Sequence, residues 1–286
     1  MDNYFKELEL SLDGRSLHYI EAGDPDGEVV LALHGWLDNA ASFIPLVNGL
    51  KGYRLIIPDL AGHGRSFHRD FNQPYYIWDN VSDLISFMDQ LEIEQCHLLG
   101  HSMGAAIGSI MASLYSERFI DLVMVEASGP VVYQTQGLSS QMRDALDKRE
   151  KMRSKILRPY ASIDDMVQVR MNGMWPVGEG AARYLVGRGV VKKSDGFYWS
   201  ADPALMLPGP LRLSEQQVQS LLADIELPVL LVKGDDGMVE PELEARVGCI
   251  RGIRFEILPG AHHLHLEPET LPALVALLCE WWGAGA

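Results

Sequence analysis

The sharpest chemical signal in this 286-residue chain is Gly100-His101-Ser102-Met103-Gly104. An apolar run, Cys96 to Leu99, leads into it, and a helical pattern, Met103 to Tyr115, leads out. A serine in such a strand-to-helix turn is presented on a strained backbone, and the flanking glycines let strand and helix approach with no Cβ between them. The amide of Met103 would open the new helix and point at a developing oxyanion. These are the needs of a nucleophilic hydroxyl, which makes Ser102 the candidate. A Gly/Ser-rich turn without chemistry is the plainer alternative, and the strand–helix context disfavours it.

A serine hydroxyl is a weak nucleophile at its own pKa and needs a base. Three of the nine histidines cluster in Gly260-Ala261-His262-His263-Leu264-His265, after the last strand-like run. At most one of them can be the base; the others pack or bind water. The base needs an orienting carboxylate. Asp235 and Asp236 follow the run Val229 to Val232, and Glu126 follows Leu122 to Val125. All three stand at carboxyl ends of expected strands, where the catalytic groups of a parallel sheet collect. All three also fit the chain order Ser, acid, His. A second oxyanion donor is expected from the loop after Val29 to Leu33, where the backbone amide of Trp36 is placed for it.

Other chemistries fit less well. The histidine cluster has no H-E-x-x-H and matches no common zinc spacing, so no metal and no cofactor is expected. Gly62-His63-Gly64-Arg65-Ser66 lacks the spacing and the lysine of a phosphate-binding loop. The Met- and Arg-bearing stripe at 142–153 reads as a helix face with solvated charge.

The elements that must position these residues alternate. Leu8 to Leu12 and Leu17 to Ala22 flank Asp13-Gly14, a hairpin dipeptide. Val29–Leu33, Tyr53–Pro58, Cys96–Leu99 and Leu122–Val125 are apolar runs of the kind buried on both faces of a sheet. Tyr75 to Leu91 has apolar residues at helical spacing. Strands alternating with helices argue for a parallel sheet covered on both faces. The pattern breaks after Gly129-Pro130. Residues 130–213 read as a mostly helical insertion with irregular connections. The alternation then resumes, with helices expected at Ser214–Leu222, Pro241–Val247 and Pro268–Trp282 and strands at Val229–Val232 and Arg254–Leu258. Ser214 and Gln217 fit a capping box. The expected organisation is a core over 1–129, a helical cap over 130–213 and the rest of the core over 214–286.

Composition narrows the function. Apolar residues are 47% and charged residues 22%, which suits a globular chain. The formal net charge of −15 opposes nucleic acid and anionic lipid as partners. Cys96, Cys249 and Cys279 form no C-x-x-C pair, which suits a reducing cytoplasm. Met1 to Glu7 has no basic or apolar leader, and the apolar stretch Leu271–Trp282 is too short to span a bilayer. A cytoplasmic protein with no integral membrane segment is therefore expected.

Taken together, four segments resemble the α/β-hydrolase superfamily: Leu33–Trp36, Pro58–Ser66, Gly100–Gly104 and Gly260 through Pro268. The resemblance covers nearly the whole chain. More narrowly, His34-Gly35-Trp36-Leu37-Asp38-Asn39-Ala40 and the stretch Gly196–Leu205, with Trp199 and Asp202-Pro203, resemble the serine hydrolase-like proteins of that superfamily. The resemblance implies a mostly parallel eight-stranded sheet with helices on both faces and a mainly helical cap inserted after the sixth strand.

The resemblance also implies Ser102 as nucleophile and the amides of Trp36 and Met103 as oxyanion hole. The last loop of such proteins commonly reads G-H-x-x-H-x-E with the first histidine catalytic. His262 stands three before His265 and five before Glu267, so it is the expected base, with His263 the alternative if a residue is missing downstream. The acid is commonly an aspartate three residues after a glycine. From Gly234 that position is Gly237, a departure from the pattern. Gly237-Met238-Val239 still resembles the stretch after the usual aspartate, which favours Asp236 with one residue deleted. Glu126 remains a rival, because some relatives place the acid after the earlier strand. Dehalogenases and epoxide hydrolases of this fold use an aspartate nucleophile, so Ser102 argues against both.

The expected activity is hydrolysis of carboxylic esters or thioesters on a small-molecule acyl substrate. Carbon–carbon bond hydrolysis, acyl transfer and a ligand-binding receptor are the alternatives.

Overall fold

The computed structural model describes residues 4–133 and 136–283. Met1–Asn3, where the reading of the N-terminus begins, lie outside the described residues, as do Gln134, Thr135 and 284–286.

Strands β1 (Tyr4–Leu12) and β2 (Arg15–Gly23) fold back on each other at Asp13 and Gly14, whose φ values are +50° and +78°. Two positive φ values in a two-residue loop match the right-handed twist of the flanking strands. Strands β3 (Glu28–Leu33), β4 (Tyr53–Pro58), β5 (Cys96–His101) and β6 (Phe119–Val125) follow. A separate hairpin is made by β7 (Val190–Lys193) and β8 (Gly196–Trp199). β9 (Val229–Asp236) and β10 (Arg254–Ala261) complete an eight-stranded sheet of order β1-β2-β4-β3-β5-β6-β9-β10. Pairing is antiparallel for β1–β2 and β2–β4 and parallel from β4 onward.

The buried strands sort their side chains with a period of two. Leu31, Leu33, Ile56, Leu122, Met124, Val229 and Leu231 face one core. Val30, Ala32, Leu55, Ile57, Val123, Val125, Leu230 and Val232 face the other. The helices are α1 (Ile44–Val47), α2 (Asp79–Gln90), α3 (Met103–Leu114), α4 (Leu138–Arg153), α5 (Ile163–Met171), α6 (Glu179–Gly189), α7 (Glu215–Ala223), α8 (Leu243–Cys249) and α9 (Leu271–Trp282). α2, α3 and α7 cover the first core through Phe87, Ile110 and Val218, among others. α1 and α9 cover the second through Leu46, Leu274 and Leu278. α2 begins four residues later than its apolar spacing suggests. Tyr75 is instead drawn away: its hydroxyl donates to Asp202 Oδ2 at 2.7 Å and accepts from the Arg69 amide at 2.9 Å. Among the described residues, no helix is long and apolar enough to cross a membrane.

Between β6 and α7 the chain leaves the sheet and builds α4, α5, α6 and the β7–β8 hairpin. The hairpin is a difference from the sequence reading, in which prolines and glycines masked its two four-residue strands. α5 and α6 share a small core of Met166, Val167, Ala182, Leu185 and Val186, closed by Leu266 from the main body. α4 is mostly exposed, with Ala145 its one buried residue, and is held to Phe71 and Asn72 through Arg149 and Arg153.

Polar groups fasten α6 to the sheet. Arg188 Nε lies 2.9 Å from Asp59 Oδ2 and 3.1 Å from Oδ1, and its Nη2 lies 2.9 Å from Oδ2. Both side chains are buried, and Asp59 also accepts from the amides of Ala40 and Arg65. Asn39 Nδ2 donates to the Leu185 carbonyl at 2.8 Å. Removing one partner of a buried pair strands the other charge. Arg188→Met should therefore cost roughly 3–5 kcal/mol of stability in urea unfolding. An unchanged midpoint would mean that the pair contributes nothing.

Candidate active site

Ser102 joins β5 to α3 at φ +51° and ψ −114°, a region that residues with a Cβ rarely adopt. The strain is held because the neighbours leave no alternative. Its amide donates to the Val125 carbonyl at 2.8 Å. A Cβ at Gly104 would fall 1.9 Å from the Leu33 carbonyl oxygen, so only glycine lets α3 start this close to the end of β3. This contact sets the first turn of α3 against the loop that carries Trp36. The Met103 amide is one of the first-turn donors that a helix leaves without an internal acceptor. The Trp36 indole is tied down separately, its Nε1 donating to the Leu205 carbonyl at 3.1 Å.

β10 ends at Ala261, and a tight turn follows, with the amides of Leu264 and Leu266 bonded to the carbonyls of Ala261 and His263. The turn places His262 Nε2 3.0 Å from Ser102 Oγ. His262 Nδ1 lies 3.0 Å from Glu126 Oε2. A serine, an imidazole and a carboxylate from three strand ends thus form one continuous chain of hydrogen bonds. The Trp175 ring, from the cap, lies over His262 with ring centroids 4.4 Å apart.

The expected acid, Asp236, is not in this chain. It remains within β9, opposite Ala261, and is exposed. The following residue is the one directed at the site, because side chains of successive strand residues leave on opposite faces. That residue is Gly237, and a Cβ on it would lie 2.2 Å from Glu126 Oε1. The Glu126 carboxylate fills the space that a side chain at 237 would occupy. The assumed one-residue deletion is therefore not the arrangement: the longer Glu126 side chain reaches across from β6. Asp235 accepts from the Gly260 amide at 2.8 Å and so pins the strand that leads to His262. His263 faces away from Ser102, toward Asp38 at 3.2 Å and Arg170 at 2.9 Å.

Burial on its own would raise the pKa of Glu126. The hydrogen bonds from His262, from the Met238 amide at 2.8 Å and from the Gly234 amide at 2.6 Å outweigh it, with the Lys233 ammonium 3.8 Å away. The carboxyl is held below its ordinary value and stays ionised. His262 is lowered from 6.5 by burial and by the nearby His263, against the opposing pull of Glu126. It is thus an unprotonated imidazole near neutrality, with its proton on the nitrogen facing Glu126.

Sequence reasoning gave no role to Asp38, Arg170 or Lys233 as polar neighbours of this chain. Asp38 stands in a segment that carries the family resemblance, which is the one signal that pointed at it. Met166 belongs to the core of the cap, Met171 packs against it, and Met174 is exposed.

Comparison with known proteins agrees with this fold. Residues 28–168 match the family model described as the alpha/beta hydrolase fold. A hypothetical protein of Pseudomonas aeruginosa has a solved structure that is 35% identical and superposes with a TM-score of 0.92, covering 97% of this chain and 99% of that one. A serine hydrolase-like protein of Dictyostelium discoideum is 27% identical over 254 residues, 83% of this chain and 70% of that one. The thioesterase domain from the curacin biosynthetic pathway shares the fold at a TM-score of 0.86 and 24% identity, covering 97% of this chain and 99% of that domain. The chain belongs to the α/β-hydrolase superfamily, among its serine hydrolase-like proteins.

The histidines around the site set an acid limit on the fold. Burial holds His34, His101, His262 and His265 below 6.5 and pushes His63 down to about 3. Groups with a lowered histidine pKa bind protons in the unfolded chain first, so their stabilisation is present above 6.5 and is lost as pH falls. His97 runs the other way: burial disfavours its charge, but bonds to Asp121 and Glu28 raise its pKa, and its contribution fades as pH rises. Five groups oppose one. Stability should fall between about pH 7 and pH 5, by about 1.4 kcal/mol per pH unit for each net excluded proton. Urea midpoints across that range check it, and a flat profile would contradict it.

Proposed function

We propose that the chain is a serine-dependent hydrolase of carboxylic esters or thioesters that works through an acyl-enzyme on Ser102. The observation that carries this reading is the relay from Ser102 Oγ through His262 to Glu126, with both contacts at 3.0 Å. In this reading Ser102 attacks the acyl carbon while His262 Nε2 takes its proton. Glu126 holds the Nδ1 proton and stabilises the imidazolium, without itself being protonated. The amides of Trp36 and Met103 receive the oxyanion, and such a donor is worth about 10²–10³ in rate. The leaving alcohol or thiol takes the proton from His262. Water then attacks the acyl-serine by the same route in reverse.

Trp175 keeps bulk water off the imidazole from the cap side. One structural neighbour is a thioesterase domain, which supports keeping thioesters beside esters. Cys96, Cys249 and Cys279 are unpaired, which supports a cytoplasmic setting.

Intact-mass labelling with a fluorophosphonate tests the reading. The wild type should take one adduct and Ser102→Ala none. On an ester and thioester panel, Ser102→Ala and His262→Gln should each lose about 10⁴-fold or more in turnover. The acid limb of the kcat/KM profile should titrate below 6.5, where His262 gains its proton. A folded wild type that takes no adduct, or an Ala variant that is still labelled, would contradict the assignment.

A further inference from the structure

We infer that Arg170, on cap helix α5, is a positioning residue: its guanidinium locks the Trp36–Asp38 loop to the His262–His263 loop, so the triad is aligned when the cap is seated. The inference rests on the proposed roles of Ser102, His262 and Glu126.

The geometry begins with Asp38, whose side chain is 2% exposed and sits just beyond the oxyanion loop. Arg170 Nη2 lies 2.9 Å from Asp38 Oδ1 and 2.9 Å from His263 Nε2. Its Nη1 donates to the Trp175 carbonyl at 2.9 Å, and the Trp175 ring covers His262. One cap side chain therefore bonds the loop of the oxyanion donor, the loop of the base and the segment that roofs the base.

A buried carboxylate needs a cation here. His101 Nε2 donates to the His262 carbonyl at 2.8 Å, which leaves Nδ1 of the neutral ring a lone pair. That atom is buried, has no hydrogen-bond partner and lies 3.7 Å from Asp38 Oδ2, so it gives Asp38 no proton. His263 Nε2 lies 3.2 Å from the same oxygen and 2.9 Å from the guanidinium, so the two loops meet at Arg170. Among the described residues, Asp38, His101 and His263 form the one group whose ligand atoms could hold a metal ion. Arg170 reaches two of its members and supplies the positive charge.

Without the guanidinium, the buried Asp38 carboxylate loses its cation and the two loops lose their shared partner. The His263 ring stands beside His262, with ring centroids 5.2 Å apart, so a shift of the histidine loop reaches the base directly without the core unfolding.

Arg170→Met and Arg170→Lys test the inference in the full chain. Hydrogen exchange should speed up in both 36–42 and 261–266 in the Met variant. Fluorophosphonate labelling of Ser102 should slow by about 10²-fold, the cost of small misplacement. Lys keeps the charge and should recover part of the rate while tightening both loops. Guanidinium chloride at a non-denaturing concentration should partly restore labelling in Arg170→Ala and leave the wild type unchanged. Wild-type exchange in both loops of the Met variant would overturn the inference, as would a wild-type labelling rate. A wild type that takes no label counts against the nucleophile assignment instead, and loop exchange then still decides the role of Arg170.

Discussion

A carboxylate stays ionised without solvent only where donors meet its lone pairs, and Glu126, at 0% exposure, imposes that condition on the site. Its oxygens take two backbone amides and one imidazole, with an ammonium nearby. Each donor comes from a different constraint. The amides of Gly234 and Met238 require β9 to run on and turn as it does. The imidazole requires β10 to stop at Ala261 and turn at once. Glu126 itself sits at φ +64°, a left-handed conformation that lets it leave β6 toward β9. Parallel pairing of β6, β9 and β10 holds the three ends together. The site is thus a consequence of strand register.

The same logic extends to the cap. Two arginines from it neutralise two buried aspartates of the body, Arg188 with Asp59 and Arg170 with Asp38. Asp59 orders the loops after β3 and β4 through the amides of Ala40 and Arg65. Asp38 sits between the Trp36 loop and the histidine loop. The cap is held by charge at the points where the body needs a cation, and its small apolar core gives α5 and α6 the stiffness to deliver those charges. α4 carries neither burial nor a charge of this kind into the body's interior, which is why its apolar residues Leu138, Met142 and Leu146 remain exposed.

Much of this was legible in the sequence. The strand β4 has the bounds its apolar run gave, and the serine turn was readable because glycine, strand and helix signals coincide at Gly100–Gly104. Ser102 and His262 follow from local spacing, and the structure brings them into contact. The carboxylate that meets His262 was harder to read because that contact depends on side-chain reach across two strands. Gly237 was a visible departure, but the sequence does not reveal that Glu126 fills the missing volume. The β7–β8 hairpin was hidden by its short strands and the glycines around it. Arg170 was hidden for a different reason: its partners lie 132 and 93 residues away, and no periodicity records such a contact.

The account stands on the assignment of Glu126, rather than Asp236, as the partner of His262. Single-turnover acylation of Ser102 with an activated ester, measured side by side for Glu126→Gln and Asp236→Asn, tests it most directly. Both proteins must show the wild-type far-ultraviolet spectrum. The account predicts a rate near wild type for Asp236→Asn and a loss of about 10⁴-fold for Glu126→Gln, as expected when the orienting carboxylate becomes an amide. The opposite ranking, or equal rates in the two variants, would contradict it.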